Sequence, residues 1–236
     1  MENLKSEKVL TAKELASYFD HTLLRANATV SEFKKLCDDS KRYGFCMVAI
    51  NPAPVKLCKT FLPGSQVHVG AAIAFPLGQT TLEDKLSETR NAIKNGADEI
   101  DYVVNLTKLK AGDTAYIESE MARITDICRE FSVVSKVIFE NCYLTEDEKK
   151  TLCHIAAKVK PDFIKTSTGF GTGGATLEDV ALMKKETEGS GVKIKAAGGI
   201  RTLKTALEMI DLGVSRIGST SSVAIMEEYM AHSPLL

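Results

Sequence analysis

The chain has 236 residues, of which 44% are hydrophobic and 26% charged, and its formal net charge is −1. A chain of this length and composition can bury one large core without disulfide bonds or structural metals. The balanced charge gives no overall basic field to attract nucleic acid, and the longest apolar run is far short of the ~20 residues that span a bilayer. We therefore expect neither a nucleic-acid partner nor a membrane partner.

The N-terminal segment and the cysteines indicate a cytoplasmic protein. Residues 1–15 are charged and lack the apolar centre of a signal peptide. None of the six cysteines forms a C-x-x-C pair, and the four histidines show no metal-binding spacing. We expect reduced thiols, no metal site and no cofactor.

Eight short β-rich apolar runs alternate with longer helical patterns along the chain. Several runs are continuously apolar, which is typical of parallel strands covered on their outer face by helices. The predicted strands are Tyr18–Leu23, Gly44–Ile50, Val67–Ile73, Glu99–Val104, Ser135–Glu140, Asp162–Thr166, Lys193–Ala197 and Ser215–Gly218.

The segments between the strands carry helix patterns and helix-start signals. A Thr-x-x-Glu pattern at Thr145 predicts a capping box, and Thr176 opens an imperfect version with Asp179 in the last position. Apolar spacing predicts helices over Thr81–Asn95, Ala115–Phe131 and Leu203–Leu212.

Eight strand–helix units in one domain, residues 1–236, predict a single (β/α)8 TIM barrel with a short helical N-terminal extension. An open doubly wound sheet is the alternative, but the G-x-G-x-x-G turn that often follows the first strand of that fold is absent there. Barrels carry their chemistry at the carboxyl ends of the strands, so functional side chains should cluster at those ends.

Two lysines, Lys165 and Lys195, lie inside consecutive apolar strands. Adjacent strands are ~4.8 Å apart, so inward-pointing lysines on them could approach each other closely. Burial and mutual repulsion both lower a lysine pKa, and a partly neutral amine is a nucleophile for carbonyl groups. The alternative is that each lysine extends to solvent or meets a carboxylate.

Acidic residues crowd the fourth predicted strand at Asp98, Glu99 and Asp101. Because side chains alternate along a strand, Glu99 and Asp101 share one face, and an inward Asp101 could pair with a lysine or move protons through water. Asp98 and Glu99 could instead only cap strand and helix ends. Lys136 and Glu140 share a face of the fifth predicted strand and either extend a charged interior or form a structural pair.

Three glycine-rich segments follow the last three predicted strands: Ser167–Gly174, Gly198–Arg201 and Gly218–Ser222. Glycine lets backbone N–H groups approach an anion, and barrels often bind a phosphate in the loops after strands seven and eight. A helix beginning after Gly218 would direct its N-terminal amides to the same place. We expect a phosphate site there, to which Arg201 or the hydroxyls of Ser219, Thr220 and Ser221 could contribute donors; tight turns are the alternative.

Six motifs together give the chain a close resemblance to deoxyribose-phosphate aldolases. They run in order over almost the whole chain, and those around Lys165 and Lys195 are the most specific. The motifs are Asp20-His-Thr-Leu23, Ala74-Phe-Pro-Leu-Gly78, Gly96-Ala-Asp-Glu-Ile-Asp101, Lys136-Val-Ile-Phe-Glu140, Asp162-Phe-Ile-Lys-Thr-Ser-Thr-Gly-Phe-Gly171 and Lys195-Ala-Ala-Gly-Gly-Ile-Arg-Thr202.

The resemblance implies a metal-free class I aldolase that reversibly cleaves 2-deoxy-D-ribose 5-phosphate to D-glyceraldehyde 3-phosphate and acetaldehyde. It matches Lys165 to the lysine that forms a Schiff base, Lys195 to a second lysine that lowers the pKa of the first, and Asp101 to the acid that transfers protons. We also expect a homo-oligomer, either a dimer or a tetramer. Phosphate and substrate contacts would fall on Asp20, Thr22, Gly169, Gly171, Gly198, Gly199, Gly218, Thr220 and Ser221.

The chain departs from the family pattern at two positions beside the expected site. Asn141 stands where threonine is expected, and Ala197 stands where serine or proline is common. Some relatives have a longer tail with a tyrosine that aids proton transfer, a role that the sequence does not assign to Tyr229. Two alternatives remain: another Schiff-base barrel aldolase, such as a transaldolase-like or keto-acid-cleaving enzyme, and a non-catalytic phosphosugar-binding barrel. A binding module has no need of paired buried lysines.

Overall fold

The computed structural model of the protein describes residues 10–232. Eight parallel strands close into a barrel in sequence order, with β8 hydrogen-bonded to β1. This confirms the predicted barrel for the described residues, while residues 1–9 and 233–236 of the predicted domain lie outside them. The strands are β1 Phe19–Leu23, β2 Met47–Ile50, β3 His68–Ile73, β4 Glu99–Val103, β5 Val134–Ile138, β6 Phe163–Lys165, β7 Lys193–Ala197 and β8 Arg216–Ser219.

Helices surround the barrel and begin at capping residues that the sequence supplies. Thr145 and Glu148 form the predicted capping box, whereas Thr176 only accepts the backbone N–H of Asp179. A further capping box at Thr11 opens the N-terminal helix that precedes the first strand. The helices are α1 Ala12–Ser17, α2 Val30–Tyr43, α3 Val55–Phe61, α4 Leu82–Lys94, α5 Leu106–Lys110, α6 Thr114–Glu130, α7 Glu146–Val159, α8 Leu177–Glu186, α9 Leu203–Asp211 and α10 Ser222–His232.

The apolar core lies between the strands and the helices. In β4, Ile100 and Tyr102 belong to one continuous apolar cluster that also includes Met121 and Ile124 of α6. Full burial of each such side chain stabilises the fold by ~1.5–3 kcal/mol. This layer holds the strands rigidly, so Asp101, which lies between Ile100 and Tyr102 on the opposite face, has a fixed position inside the barrel.

The fifth strand is shorter than predicted, and this changes the position of Glu140. β5 ends at Ile138, and Glu140 has left-handed backbone torsions with φ 58° in the loop beyond it. The prediction that Lys136 and Glu140 share a strand face is therefore wrong. The backbone turns because the Glu140 carboxylate accepts hydrogen bonds from the backbone and side chain of Thr168 in the next loop.

Within residues 10–232, no helix is both long and apolar enough to cross a membrane. The same range contains no group of three or more His, Cys, Asp or Glu side chains arranged to hold a metal ion.

Candidate active site

Lys165 is the last residue of β6, and its strand register places it beside Lys195 of β7. Both ammonium groups contact the same carboxylate oxygen: Nζ of Lys165 lies 2.9 Å and Nζ of Lys195 lies 2.7 Å from Oδ2 of Asp101. The predicted approach of the two lysines is confirmed, with a carboxylate between them. The alternative was that each lysine extends to solvent or meets a carboxylate. Its first part is wrong, because Lys165 is 3% exposed and Lys195 is fully buried, and its second part holds, because both lysines meet Asp101.

The surroundings of Lys165 lower the pKa of its amine to about 8. Burial has the largest effect, because the charged form loses its hydration. Asp101 opposes this by attracting the ammonium, and Lys195 then lowers the pKa further by repulsion. At neutral pH a useful fraction of Lys165 is therefore an uncharged, nucleophilic amine.

Asp101 is an ionised carboxylate despite its burial. Burial alone would raise its pKa, but the nearby ammonium groups of Lys136, Lys165 and Lys195 hold that pKa well below its usual range. Lys136 of β5 contacts the second oxygen, with Nζ 2.7 Å from Oδ1. Three lysines on three consecutive strands thus converge on one aspartate.

Asp20 was expected to face the substrate, but it lies inside the barrel below the site. Its side chain is fully buried and contacts Arg216 of β8, while Oδ2 lies 2.5 Å from Nζ of Lys195. The expectation that Asp20 contacts the sugar hydroxyls is therefore wrong for this structure. Its charge is satisfied by two buried cations, and it does not line the cavity.

A cavity of about 660 Å³ opens above Lys165 at the carboxyl ends of the strands. This is the end at which barrels carry their chemistry. Its walls include both expected site residues and others that sequence reasoning did not single out, such as His21, Arg25 and Phe170. The expected residues that line it are Thr22, Lys165, Gly169, Gly198, Gly199, Gly218 and Thr220, and Arg201 and Ser219 join them.

Gly171 and Ser221 are close to the cavity but do not line it. A Cβ on Gly171 would lie 2.7 Å from Sγ of Cys142, so this glycine permits close packing of the loop. The backbone N–H of Ser221 donates to the hydroxyl of Ser219. The expectation that these two residues contact the ligand directly therefore stays a prediction.

Comparison with known proteins shows the family to which this chain belongs. A model of DeoC/LacD family aldolases matches residues 15–219. The deoxyribose-phosphate aldolase of Lactobacillus acidophilus is 55% identical over 92% of this chain and 91% of its own, and that of Bacteroides thetaiotaomicron is 50% identical over 93% and 92%. The chain belongs to the DeoC/LacD aldolase family.

A solved structure of a family member has the same fold. The deoxyribose phosphate aldolase from Aeropyrum pernix, described as a unique tetrameric structure, superposes with a TM-score of 0.88. It is 28% identical and the match covers 94% of this chain and 93% of that one. The barrel and its strand order are therefore those of the DeoC/LacD aldolases.

The two departures from the family pattern, and Tyr229, differ in their relation to the cavity. Ala197 lines it, whereas Asn141 is 1% exposed and directs Nδ2 to Sδ of Met183, 3.4 Å away. The hydroxyl of Tyr229 donates to the backbone carbonyl of Leu10, which precedes α1. Tyr229 therefore lies away from the cavity and does not contact Lys165.

Sequence reasoning missed Arg216 as a member of the charged interior. Arg216 begins β8, and its guanidinium contacts Asp20 and, through Nη2 at 2.6 Å, Oε1 of Glu99. Strand alternation carried a usable signal, because Arg216 and Gly218 share a face and Gly218 was already expected at the site. A charged residue in a strand of four buried positions needs buried partners, and three acidic residues were available.

Proposed function

We propose that this protein is a deoxyribose-phosphate aldolase that uses Lys165 to cleave 2-deoxy-D-ribose 5-phosphate reversibly into D-glyceraldehyde 3-phosphate and acetaldehyde. The proposal depends on the amine of Lys165, which lies buried at the floor of the cavity. This amine contacts Asp101, which Lys195 also contacts. The relatives, which are named deoxyribose-phosphate aldolases, indicate the substrate, and the geometry around Lys165 explains how its amine can act as a nucleophile.

The reaction begins when neutral Lys165 attacks C1 of the open-chain sugar. The carbinolamine loses water and becomes an iminium, whose positive nitrogen accepts electrons from the bond to be broken. A water molecule held by Asp101 and Lys195 is the proposed base that removes the proton of the C3 hydroxyl. The C2–C3 bond then breaks, its electron pair moves toward the nitrogen, and glyceraldehyde 3-phosphate leaves an enamine on Lys165.

Protonation of the enamine at C2 and hydrolysis of the resulting iminium release acetaldehyde and restore the Lys165 amine. The same groups serve both halves of the cycle, since the water that gained the proton of the C3 hydroxyl can give a proton to C2. In this assignment Lys165, Lys195 and Asp101 are the catalytic residues.

The phosphate of the substrate is assigned to the glycine loops around the mouth of the barrel. Gly198 and Gly199 have φ values of 85° and 79°, a left-handed pair that glycine adopts without strain. Gly169, Gly218 and Thr220 complete the backbone wall, and Arg201 adds a cation beside it. Binding the remote phosphate here orients C1 toward Lys165.

A substrate comparison tests this function. The purified protein is given equal concentrations of deoxyribose 5-phosphate, deoxyribose, a six-carbon ketose phosphate and a phosphorylated 2-keto-3-deoxy acid, and aldehyde release is measured. We expect cleavage of deoxyribose 5-phosphate with the highest kcat/KM. Preference for the ketose phosphate or the keto acid would instead identify another Schiff-base aldolase, and binding without cleavage would identify a phosphosugar-binding barrel.

The close packing of two glycine loops predicts the effect of Gly174→Ala. The backbone N–H of Ala175 donates to the carbonyl of Gly198, and a Cβ on Gly174 would lie only 2.2 Å from that carbonyl oxygen. The loops must separate, and overpacking of this kind costs roughly 1–3 kcal/mol, so we expect KM for deoxyribose 5-phosphate to rise about tenfold with a smaller change in kcat.

Gly173→Ala is the matched control, since its Cβ would meet only Cβ of Cys142 at 3.1 Å. Equal KM values for the two variants would contradict the proposed phosphate site.

Glu140 controls which hydrogen bonds Thr168 can make in the cavity. Thr168 donates its hydroxyl and its backbone N–H to Glu140, and its hydroxyl oxygen accepts the N–H of Phe170. The free lone pair of Thr168 can therefore only accept a hydrogen bond from a substrate hydroxyl.

Glu140→Gln weakens the charge-assisted bond and lets the Thr168 hydroxyl turn. The loss of ~1–2 kcal/mol predicts roughly a tenfold fall in kcat/KM, measured by steady-state kinetics. The exposed Glu178→Gln is the control, and we expect it to retain full activity. A Glu140→Gln protein as active as this control would show that the loop needs no such bond.

Two further properties extend the proposal. A homo-oligomer, dimeric or tetrameric, is supported by the tetrameric structure described for the Aeropyrum pernix relative, and sedimentation would measure it directly. A cytoplasmic location agrees with reduced cysteines, because the six cysteines of the described residues are all free thiols.

A further inference from the structure

The interior of the barrel contains a closed ring of six alternating charges. Each cation in it contacts two carboxylates, and each carboxylate contacts two of these cations. Going round, the ring consists of Asp101, Lys195, Asp20, Arg216, Glu99 and Lys136, which contacts Asp101 again. The contacts that join the lysines to Asp101 are both 2.7 Å long.

Lys165 is attached to this ring but is not part of it. Its Nζ contacts one ring member, Asp101, at an oxygen that Lys195 also contacts. The ring contains three carboxylates and three cations, so its formal charge is zero without Lys165. A protonated Lys165 would therefore be a surplus cation in a buried and already balanced cluster, which is the condition under which a buried group neutralises.

We propose that Glu99 and Arg216 are positioning residues for the aldolase reaction, because their opposite charges keep this ring neutral and so leave Lys165 as the amine that releases its proton. The proposal rests on the proposed role of Lys165 as nucleophile. Neither residue lines the cavity, and each acts only through the ring. The lowered pKa of Lys165 agrees with this arrangement.

Charged groups approach Lys165 from several strands, and each contributes to the net charge around its amine. Asp101 of β4, Lys195 of β7 and Lys136 of β5 act on it most directly, and Asp20 of β1, Arg216 of β8 and Glu99 of β4 complete the ring. His68 of β3 lies at the edge, with Nδ1 2.7 Å from Oε1 of Glu99 and a half-exposed ring. Its own titration is removed by repeating the measurement in a His68→Gln background.

The charge balance gives opposite predictions for two substitutions that disturb the same ion pair. Arg216→Gln removes a cation, gives the ring a net negative charge and should hold the proton on Lys165 to higher pH. Glu99→Gln removes an anion and should release that proton at lower pH. A charge two strands away, ~10 Å, at an effective dielectric constant of ~20 shifts a pKa by about one pH unit.

The double variant Glu99→Gln with Arg216→Gln restores the balance, since two carboxylates then face two cations. We expect its Lys165 to titrate close to the original pH. If the pair had a purely structural role, the titration of Lys165 would be displaced most in the double variant, because that variant loses more contacts than either single variant.

The control is a buried ion pair outside the ring. Lys85 and Glu120 are both fully buried, with Nζ 2.7 Å from Oε1, between α4 and α6. Glu120→Gln disturbs a buried pair to the same degree without changing the charge of the ring. We expect it to lower thermal stability and to leave the titration of Lys165 in place.

The measurement is trace labelling with acetic anhydride across pH 6 to 10, roughly the range around the pKa of Lys165, with the acetylated fraction of that residue read by mass spectrometry. Labelling follows the neutral amine and requires no substrate, so it remains informative if the proposed reaction is wrong. Borohydride trapping of the substrate on the unmodified protein tests that reaction separately.

The expected result is a midpoint shifted up in Arg216→Gln, down in Glu99→Gln and back near its original value in the double variant. Shifts in the same direction, no shifts, or a double variant that stays displaced would overturn the proposal. Circular dichroism checks folding. If one single variant does not fold, the other still gives a signed shift, and its absence overturns the proposal equally.

Discussion

Lys165→Met is expected to abolish turnover of deoxyribose 5-phosphate, with a loss on the order of 10⁴-fold or more, because no iminium can form without the amine. Methionine retains the length of the side chain without a nucleophile. Nζ of Lys165 forms an ion pair with Asp101, which keeps both Lys136 and Lys195 as partners when Lys165 is replaced.

The same variant should fold as well as the original protein. Removing Lys165 leaves the six-membered ring of charges intact and removes an amine that is costly to bury. The free energy of unfolding should therefore change by no more than about 1 kcal/mol. Calorimetry and a steady-state assay measure the two expectations together. Substantial residual turnover would mean that another group forms the Schiff base.

Lys195→Leu is expected to damage both activity and stability. It removes the cation that repels the protonated form of Lys165, and it leaves Asp20 and Asp101 each with one contact fewer. The pKa of Lys165 should rise from about 8, since a neighbouring positive charge had favoured the neutral amine. The alkaline rise of the pH–rate profile should then move to higher pH, and activity at pH 7 should fall about 100-fold as both the amine and the proton-carrying water are affected.

Breaking a buried ion pair on one side costs roughly 3–5 kcal/mol, so Lys195→Leu should also unfold at lower temperature. Lys85→Leu is the matched control, because it removes an equally buried lysine that pairs with Glu120 outside the barrel interior. The control should lose stability without moving the pH–rate profile. A Lys195→Leu protein with full activity and an unchanged profile would contradict the pairing of the two lysines.

Much of the fold followed from local patterns. The strand at Lys193–Ala197 has the same bounds in the structure as in the prediction, and the capping box at Thr145 forms as expected. These features depend on side-chain alternation and on hydrogen bonds between residues three apart, which a single sequence displays. The predicted end of β5 was wrong, because Glu140 lies beyond the strand and accepts a hydrogen bond from Thr168, 28 positions away.

In the candidate site too, features with a local sequence pattern were predicted and those with distant partners were not. Lys165 and Lys195 were predicted as neighbours because adjacent strands place them so, and their shared contact with Asp101 follows from the barrel closing. Asp20 was misplaced because its partner Arg216 lies 196 positions later in the chain. Charge partners that meet across a closed barrel leave no local pattern, so the sequence indicated several of the buried charged residues but not how they pair.

Reductive trapping shows whether Lys165 is the amine that binds the substrate. The protein is incubated with deoxyribose 5-phosphate, treated with borohydride, digested and analysed by mass spectrometry. We expect one reduced adduct on Lys165, absent without substrate and absent in Lys165→Met. An adduct on Lys195, on Lys136 or on any other lysine, or no adduct in an actively turning-over preparation, would contradict it.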